Sequence, residues 1–262
     1  MRIVTWNINS IRARIQLLRR LCEEVNPDVV CLQETKVVDE LFPHAEIEDI
    51  FPFRQINGIK AYNGVAILSK RPFQSGGARN WCDRADGRYV FARFAGGLEI
   101  HNFYVPAGGD VPDPDENPKF AHKLDFVDEM TAYWTEHATA RAKRVLVGDL
   151  NIAPGEHDVW SHKQLLDVVS HTPVEVDRMA KLQDSHGWID VARHFVPADE
   201  KLYSWWSYRA RDWRASNRGR RLDHVLVTPG LKAKLEGFDI LAEARDWPKA
   251  SDHVPVIVDL DA

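Results

Sequence analysis

Four carboxylates in this chain stand beside amides or an imidazole. Glu34 follows an apolar run, Asp149 lies in Gly148-Asp149-Leu150-Asn151, Asp223 precedes His224, and Asp252 sits between Ser251 and His253. Asn7, in Trp6-Asn7-Ile8-Asn9, adds a further amide near the amino terminus. Taken singly, each has an ordinary explanation: a solvated loop for Glu34, turn stabilisation for Asp149, a surface turn for Asp252-His253, a structural salt bridge for Asp223. Taken together, Asn7, Glu34, Asp149, Asn151, Asp223, Asp252 and His253 make a set of hard oxygen ligands and polar donors. Mg²⁺ prefers carboxylate and water oxygens, uses one or two protein carboxylates, and keeps positions open for substrate phosphate. The set therefore points to phosphoryl chemistry with Mg²⁺ or Mn²⁺. Zinc fits less well, because the sequence has no His-x-x-x-His or Cys-rich cluster.

The pattern around these residues predicts the elements that must position them. Arg2 to Trp6 reads as a strand, and Ile11, Ile15, Leu18, Leu21, Cys22 and Val25 recur at helical spacing as far as Asn26-Pro27. Asp28 to Leu32 and Arg144 to Val147 are continuous apolar runs, as in strands covered on both faces, and their carboxyl ends deliver Gln33-Glu34 and Gly148-Asp149. Phe120 to Trp134 is an amphipathic helix, and Gly64 to Leu68, Tyr89 to Phe94, Leu98 to Tyr104, His224 to Val227 and Val256 to Leu260 are further strands. The expected class is α/β and rich in strands, with polar residues gathered where strands end. Two strands ending in Asn-bearing turns hint at pseudo-symmetry.

With 262 residues, 44% hydrophobic and 28% charged, and no low-complexity linker, residues 1–262 read as one domain. No apolar stretch is long enough for a signal peptide or a membrane span, so the expectation is a cytoplasmic protein without a membrane partner. Cys22, Cys31 and Cys82 have no metal-binding spacing and read as buried reduced thiols. A net charge of −5 argues against indiscriminate polyanion binding. Locally the balance reverses: six arginines (209, 211, 214, 218, 220 and 221) face one acid, Asp212. Trp205, Trp206, Tyr208 and Trp213 interleave with Arg209, Arg211, Arg214 and Arg218, a composition suited to phosphates and stacked sugars or bases, or to an aromatic strand beside a solvated loop.

The strings WNIN, LQETKVVDELFP, NFYVPAGG, GDLNIAP, YSWWSYR, NRGRRLDHVLV and SDHVPV occur in order along nearly the whole chain. In these the sequence resembles bacterial exonuclease III and its relatives, the abasic (AP) endonucleases, within the endonuclease/exonuclease/phosphatase superfamily. The resemblance implies a four-layered α/β sandwich of two mainly antiparallel β-sheets packed face to face and flanked by helices. It implies Glu34 as principal metal ligand with Asn7 beside it and Asp252 close by, and Asp149 as the group that orients and deprotonates the attacking water. Asn151 and Tyr104 would hold the phosphate, while His253, steadied by Asp223, would hydrogen-bond it. Asn151, Asp149 and His253 also count among the candidate metal neighbours.

Trp205 and Leu222 would line a pocket for a flipped-out abasic sugar, with Tyr208, Arg209, Arg211, Trp213 and Arg218 on the DNA-binding face. One position departs: Arg220 stands where certain relatives carry an aromatic, which puts the pocket's shape in question. His157 and His162, in the loop after Asn151, have no assigned role. The implied substrate is double-stranded DNA with abasic sites, nicks or blocked 3′ ends, acted on by a monomer. Two competing expectations are a phosphatase of the same superfamily acting on inositol phosphates or other small phosphoesters, and a nucleic-acid-binding protein on a dead nuclease scaffold. The arginine-aromatic segment opposes the first, and the intact motif residues oppose the second.

Overall fold

The computed structural model describes residues 1–139, 141–210 and 212–261. In chain order the elements are β1 (Arg2–Asn7), α1 (Ile11–Val25), β2 (Val29–Gln33), β3 (Phe53–Asn57), β4 (Val65–Ser69), β5 (Phe73–Ala78), β6 (Tyr89–Phe94), β7 (Leu98–Tyr104), α2 (Pro118–Glu136) and β8 (Lys143–Asp149). They continue with α3 (His162–Leu165), α4 (Pro173–Ser185), β9 (Ile189–Asp190), α5 (Val191–Phe195), β10 (Trp205–Trp206), α6 (Trp213–Ser216), β11 (Gly219–Arg220), β12 (Asp223–Val227), β13 (Leu235–Ile240) and β14 (Val256–Leu260). Ten of the strands and helices coincide with expected segments in whole or large part. Strands β3, β5 and β13 and helix α4 carry no periodicity that announces them.

Two six-stranded sheets result, ordered β13-β14-β1-β2-β4-β3 and β5-β6-β7-β8-β12-β9. Each has one parallel pair at its centre, β1 with β2 and β7 with β8, and antiparallel pairs elsewhere. Read from β3 and from β5, both sheets run antiparallel, antiparallel, parallel, antiparallel, antiparallel, so the pairing sequence recurs.

Strand periodicity explains the layers. Alternate side chains of a strand point to opposite faces: Ile3 of β1 and Val29 and Cys31 of β2 meet Val145 and Val147 of β8 and Val225 and Val227 of β12 in the core between the sheets. Val4, Trp6, Val30 and Leu32 point the other way, onto Leu18, Leu21, Cys22 and Val25 of α1. Leu146 and Phe103 face Phe126, Met130 and Trp134 of α2 and Met179 and Leu182 of α4. Helix, sheet, sheet, helix is the outcome, the four-layered sandwich that the resemblance implies. Cys22 and Cys31 are buried free thiols, whereas Cys82 is only partly covered, because it lies in the loop between β5 and β6.

Helix α1 is bounded by Ser10, whose hydroxyl accepts from the Ala13 N–H, and by Asn26, left-handed at φ 51°, whose N–H donates to the Cys22 carbonyl. Pro27 then prevents continuation. Between the sheets a polar bridge sets the relative height of the two halves. Gln33 Nε2 donates to Asn102 Oδ1 (2.6 Å) and Thr5 Oγ1 (2.9 Å), and Asn102 Nδ2 donates to the Leu32 and Ala66 carbonyls (2.9 Å each). A shift of either sheet would leave these buried groups unpaired, at about 1–3 kcal/mol each.

Candidate active site

The parallel pairs bring four strand ends to one end of the sandwich. Register places Asn7 beside Gln33 on one sheet, and Tyr104 beside Asp149 on the other, with Asp223 opposite Asp149 on its far side. The chain just before β14 adds Ser251, Asp252 and His253. Gly148 makes the β8 exit possible: it has φ 140°, and an added Cβ would lie 1.9 Å from the Phe103 carbonyl oxygen. Beyond the strand ends, Glu34 and Asn151 both adopt left-handed φ, 52° and 54°. Asn tolerates that region, but Glu does so only where its surroundings hold it there.

Those surroundings are visible. Glu34 Oε1 accepts from Asn7 Nδ2 (3.0 Å) and the Tyr104 hydroxyl (2.8 Å), and Lys36 Nζ lies 2.7 Å from Oε2. Burial alone would raise the Glu34 pKa, but these donors outweigh it and hold the carboxyl below its ordinary range. Asn7 Nδ2 also donates across the sheet interface to Asp149 Oδ2 (2.9 Å), which ties the two halves together at the site. Asp149 Oδ1 accepts from the Asn151 N–H (3.0 Å), while Asn151 Nδ2 donates to the Val105 carbonyl (2.9 Å).

Asp149, Asp223 and His253 form a buried cluster. His253 Nδ1 donates to Asp223 Oδ2 at 2.8 Å, and its Nε2 lies 3.6 Å from Asp149 Oδ2. Burial pushes the Asp149 pKa up to about 7, reinforced by Asp223 and Glu34 and opposed by His253 and Asn7. Burial pushes the other way on His253, yet Asp223 and Asp149 dominate and lift it to about 10. The imidazolium is thus held charged beside a carboxylate poised near neutrality, the pattern expected of a general base with a fixed cationic partner. Asp223 is not paired with Arg221, which instead grips Asp158 and Asp190. It is positioned by Ser204, whose Oγ donates to Asp223 Oδ2 (2.6 Å) and accepts from the Leu222 and Asp223 N–H groups.

The donor chemistry suits a hard divalent cation. Asp149 and Asp223 carry carboxylate oxygens within 4.8 Å of one another, Asp223 Oδ1 is buried without a partner among the described residues, and Glu34 presents a third carboxylate to the same cleft. Four carboxylates against Lys36 and His253 leave the floor anionic, an arrangement that repels a phosphate unless cationic charge is added. Asp252 sits at the rim, its oxygens accepting from Trp205 Nε1 (3.0 Å) and Asn9 Nδ2 (3.3 Å).

Above this floor opens a cleft of about 710 Å³ lined by Glu34, Tyr104, Asp149, Asn151, Asp252 and His253 below and by Trp160, Trp205, Arg209, Arg218, Arg220 and Leu222 on its wall. Arg218 lies 4.6 Å over the Trp160 ring. The hairpin of β10 and β11 that carries Trp205 is stitched to the floor: Trp205 bridges to His253, the Trp206 N–H donates to the Asp252 carbonyl (3.0 Å), and Val254 N–H donates to the Ser204 carbonyl (2.8 Å). Tyr208 is half exposed at the edge, its hydroxyl donating to the Ala250 carbonyl (2.8 Å). Trp213 does not line the cleft itself; it packs on Trp206 at 4.9 Å and donates to Asp246 Oδ1 (2.7 Å). Arg211 lies outside the described residues. His157 lines a separate hollow with Asp158 and Arg193, and His162 hydrogen-bonds His171 (2.8 Å).

Sequence reasoning missed the supports: Lys36 on Glu34, Ser204 on Asp223, and the buried pair Lys123 and Glu175, in which Lys123 Nζ also donates to the Asn151 carbonyl (2.7 Å). Lys36 was visible as the last letter of QETK. The Lys123 pairing joins residues 52 positions apart and leaves no local signal.

A family model described as Endonuclease/Exonuclease/phosphatase family matches residues 4–253. The chain is 30% identical to exodeoxyribonuclease III of Haemophilus influenzae and 31% identical to an exodeoxyribonuclease of Bacillus subtilis, with 98% of each chain covered in both cases. Among solved structures it superposes on an AP endonuclease from Archaeoglobus fulgidus (TM-score 0.92, 29% identity) and on a Neisseria 3′ phosphatase bound to product DNA hairpin (TM-score 0.91, 30% identity), each covered in full.

Proposed function

We propose that this chain, which belongs to the endonuclease/exonuclease/phosphatase family and to its exonuclease III and AP endonuclease branch, is a Mg²⁺-dependent DNA repair hydrolase. Its substrates are duplex DNA with abasic sites, cut on their 5′ side, and 3′ ends bearing blocking groups or terminal nucleotides. The observation that carries this reading is the convergence of Glu34, Asp149, Asp223 and His253 beneath a cleft walled by Trp205 and three arginines. We take residues 1–262 as one catalytic domain, monomeric and cytoplasmic; no helix among the described residues is long and apolar enough to cross a membrane.

Glu34 and Asn7 would hold the ion, with Asp149, Asn151, Asp252 and His253 around it, and Mn²⁺ would substitute. When bound, Mg²⁺ supplies neutralising charge to the phosphoryl oxygens. Asp149 takes a proton from the attacking water. His253, kept protonated by Asp223, donates a hydrogen bond to a phosphoryl oxygen, and Asn151 and Tyr104 hold that phosphate in place. Arg209, Arg211 and Arg218 bind flanking phosphates, Trp205 and Leu222 meet the sugar, and Tyr208 and Trp213 extend the aromatic surface. Cleavage of the P–O3′ bond leaves 3′-hydroxyl and 5′-phosphate ends.

Timed product analysis on a duplex with one abasic analogue, an intact duplex and a 3′-phosphate nick, with Mg²⁺ and with chelator, tests the reading. Chelator should silence cleavage and Mg²⁺ restore it, and Glu34→Gln should remove most turnover while the protein stays folded, because a neutral isostere replaces an anionic ligand. Products ending in an unsaturated aldehyde or a 3′-phosphate would overturn the mechanism. Near-normal rates for Glu34→Gln at limiting Mg²⁺ would overturn the ligand assignment.

A further inference from the structure

We infer that Arg220 is a specificity-determining residue that tilts this enzyme toward 3′-terminal phosphate monoesters and away from phosphates that continue into an abasic sugar. The inference rests on the proposed nuclease reading and deepens it.

Arg220 lies on the cleft wall with its guanidinium 5.3 Å from the centre of the Trp205 ring. Trp205 and Leu222 are the apolar surface that would receive whatever group follows the scissile phosphate, and Arg220 occupies the space beside them. Its position is held: Nη1 donates to the Val169 carbonyl (2.9 Å) and to Ser170 Oγ (2.8 Å). The Ser170 loop is itself fixed, since the Ser170 and Thr172 N–H groups both donate to the buried Glu175 carboxylate. Nη2 has no partner among the described residues, and Nε is buried without one. The carboxylate whose field reaches Arg220 is Glu175, which is already committed to Lys123. A cation fixed on the wall of that cleft with an unpartnered edge is equipped to take an anion.

The two substrate classes differ at that place. In both, water attacks phosphorus and the P–O3′ bond breaks. One water proton passes to Asp149 and from there to solvent, the departing O3′ takes a proton from solvent, and the other water proton stays on phosphate. In a diester 5′ to an abasic site the phosphate carries a neutral sugar onto the Trp205 surface. In a 3′-phosphate that surface receives no sugar, and the phosphate bears about −1.5 to −2 charge near neutral pH. Arg220 narrows the space for the sugar and complements the extra charge, so both effects act in one direction.

The test compares wild type, Arg220→Leu and Arg220→Lys in single-turnover cleavage of a 3′-phosphate nick and of a duplex with a tetrahydrofuran abasic analogue. A second arm measures binding of nicks ending in 3′-phosphate or 3′-hydroxyl in the presence of chelator. Arg220→Leu should move the ratio of the two rates toward the abasic analogue by roughly 10-fold or more, the loss expected of one charge-assisted hydrogen bond. Arg220→Lys should keep most of the phosphate preference. Wild type should bind the 3′-phosphate nick more tightly than the 3′-hydroxyl nick, a comparison that stands even where a variant does not fold. An unmoved ratio, an equal loss on both substrates, a Lys variant behaving as the Leu variant, or no binding preference in wild type would each overturn the role of Arg220. Wild type cleaving neither substrate would instead sink the nuclease reading beneath it.

Discussion

On the floor of the cleft, Asn7, Tyr104, Asp149 and Asp223 sit at the ends of strands paired through five to seven residues, whereas among the described residues of the wall at 204–222 only Trp205 with Arg220 and Trp206 with Gly219 form a ladder. Floor side chains are buried and bonded to one another across the two sheets. Wall side chains such as Arg209 and Arg218 are exposed. The difference separates two demands. Chemistry needs donors fixed to a fraction of an ångström, and strand register supplies that without further cost; recognition of a bulky, variable DNA partner needs reach and charge, which a loop provides. Changes to the floor should therefore abolish turnover and spare binding, and changes to the wall should do the reverse.

The largest effect belongs to Asp149 and His253. Asp149→Asn removes the proposed proton acceptor and should slow single-turnover cleavage on the order of 10²-fold or more, with DNA affinity little changed. His253→Ala should be comparable, and the double variant should lose much less than the product of the two, because residues acting as a unit are non-additive. Full additivity would break the picture of one coupled cluster.

The wall also has a rigid root, which stability measurements reach. Arg221 is buried and bonds both oxygens of Asp158 (2.7 and 2.8 Å), with Asp190 on its far side. Arg221 lifts the wall into place because its neighbours are Arg220 and Leu222. The guanidinium outweighs burial and holds the Asp158 carboxyl well below the usual range. Asp158→Asn leaves that guanidinium short of one counter-charge and should cost about 3–5 kcal/mol in denaturant unfolding, as breaking a buried pair does. A cost under 1 kcal/mol would mean that Asp190 alone satisfies Arg221.

How much of this was readable beforehand follows the same division. β2 and β8 were legible because strands covered on both faces are unbroken apolar runs, and Glu34 and Asp149 because each is the first acid after such a run. β5, with sequence FQSGGA, is an exposed edge strand with two glycines and shows no alternation; β13 is likewise only partly buried. Helix α4 begins with a Thr172 to Glu175 capping box, but Glu175 turns inward to Lys123, a contact no local pattern encodes. Ser204 holding Asp223, and Ser170 holding Arg220, are likewise products of tertiary contact. Trp213 has a composition suited to a DNA surface, and its packing against Trp206 is a tertiary contact that no local pattern encodes.

Reversing Arg209 and Arg211 should weaken DNA binding and flatten its dependence on salt, each lost phosphate contact lowering the slope of log affinity against log salt by about 0.9. Turnover of bound substrate should hardly move. Filter or fluorescence binding across a salt series reads the slope, and an unchanged slope would put the binding face elsewhere.

The smallest effect is expected at Tyr208, where the wall meets the floor's outer edge. Its hydroxyl accepts from Arg14 Nη2 (3.1 Å) and Asn9 Nδ2 (3.3 Å) and donates to the Ala250 carbonyl. Arg14 Nη2 reaches that same carbonyl at 3.2 Å, and Asn9 keeps its bond to Asp252, so Tyr208→Phe strands no buried group. Stability should fall by about 1 kcal/mol or less, the net value of one hydrogen bond, and cleavage should stay within a factor of about two. Tyr208→Ala is the sharper probe, since it removes a half-exposed ring able to stack on a base or sugar, a contact worth about 1–3 kcal/mol. If the Phe variant binds DNA normally and the Ala variant binds on the order of 10-fold more weakly, Tyr208 acts through its face and belongs to the recognition wall. If the Phe variant alone loses cleavage while binding holds, the hydroxyl orients Asn9 and Asp252, and the boundary between floor and wall must be drawn one residue further out.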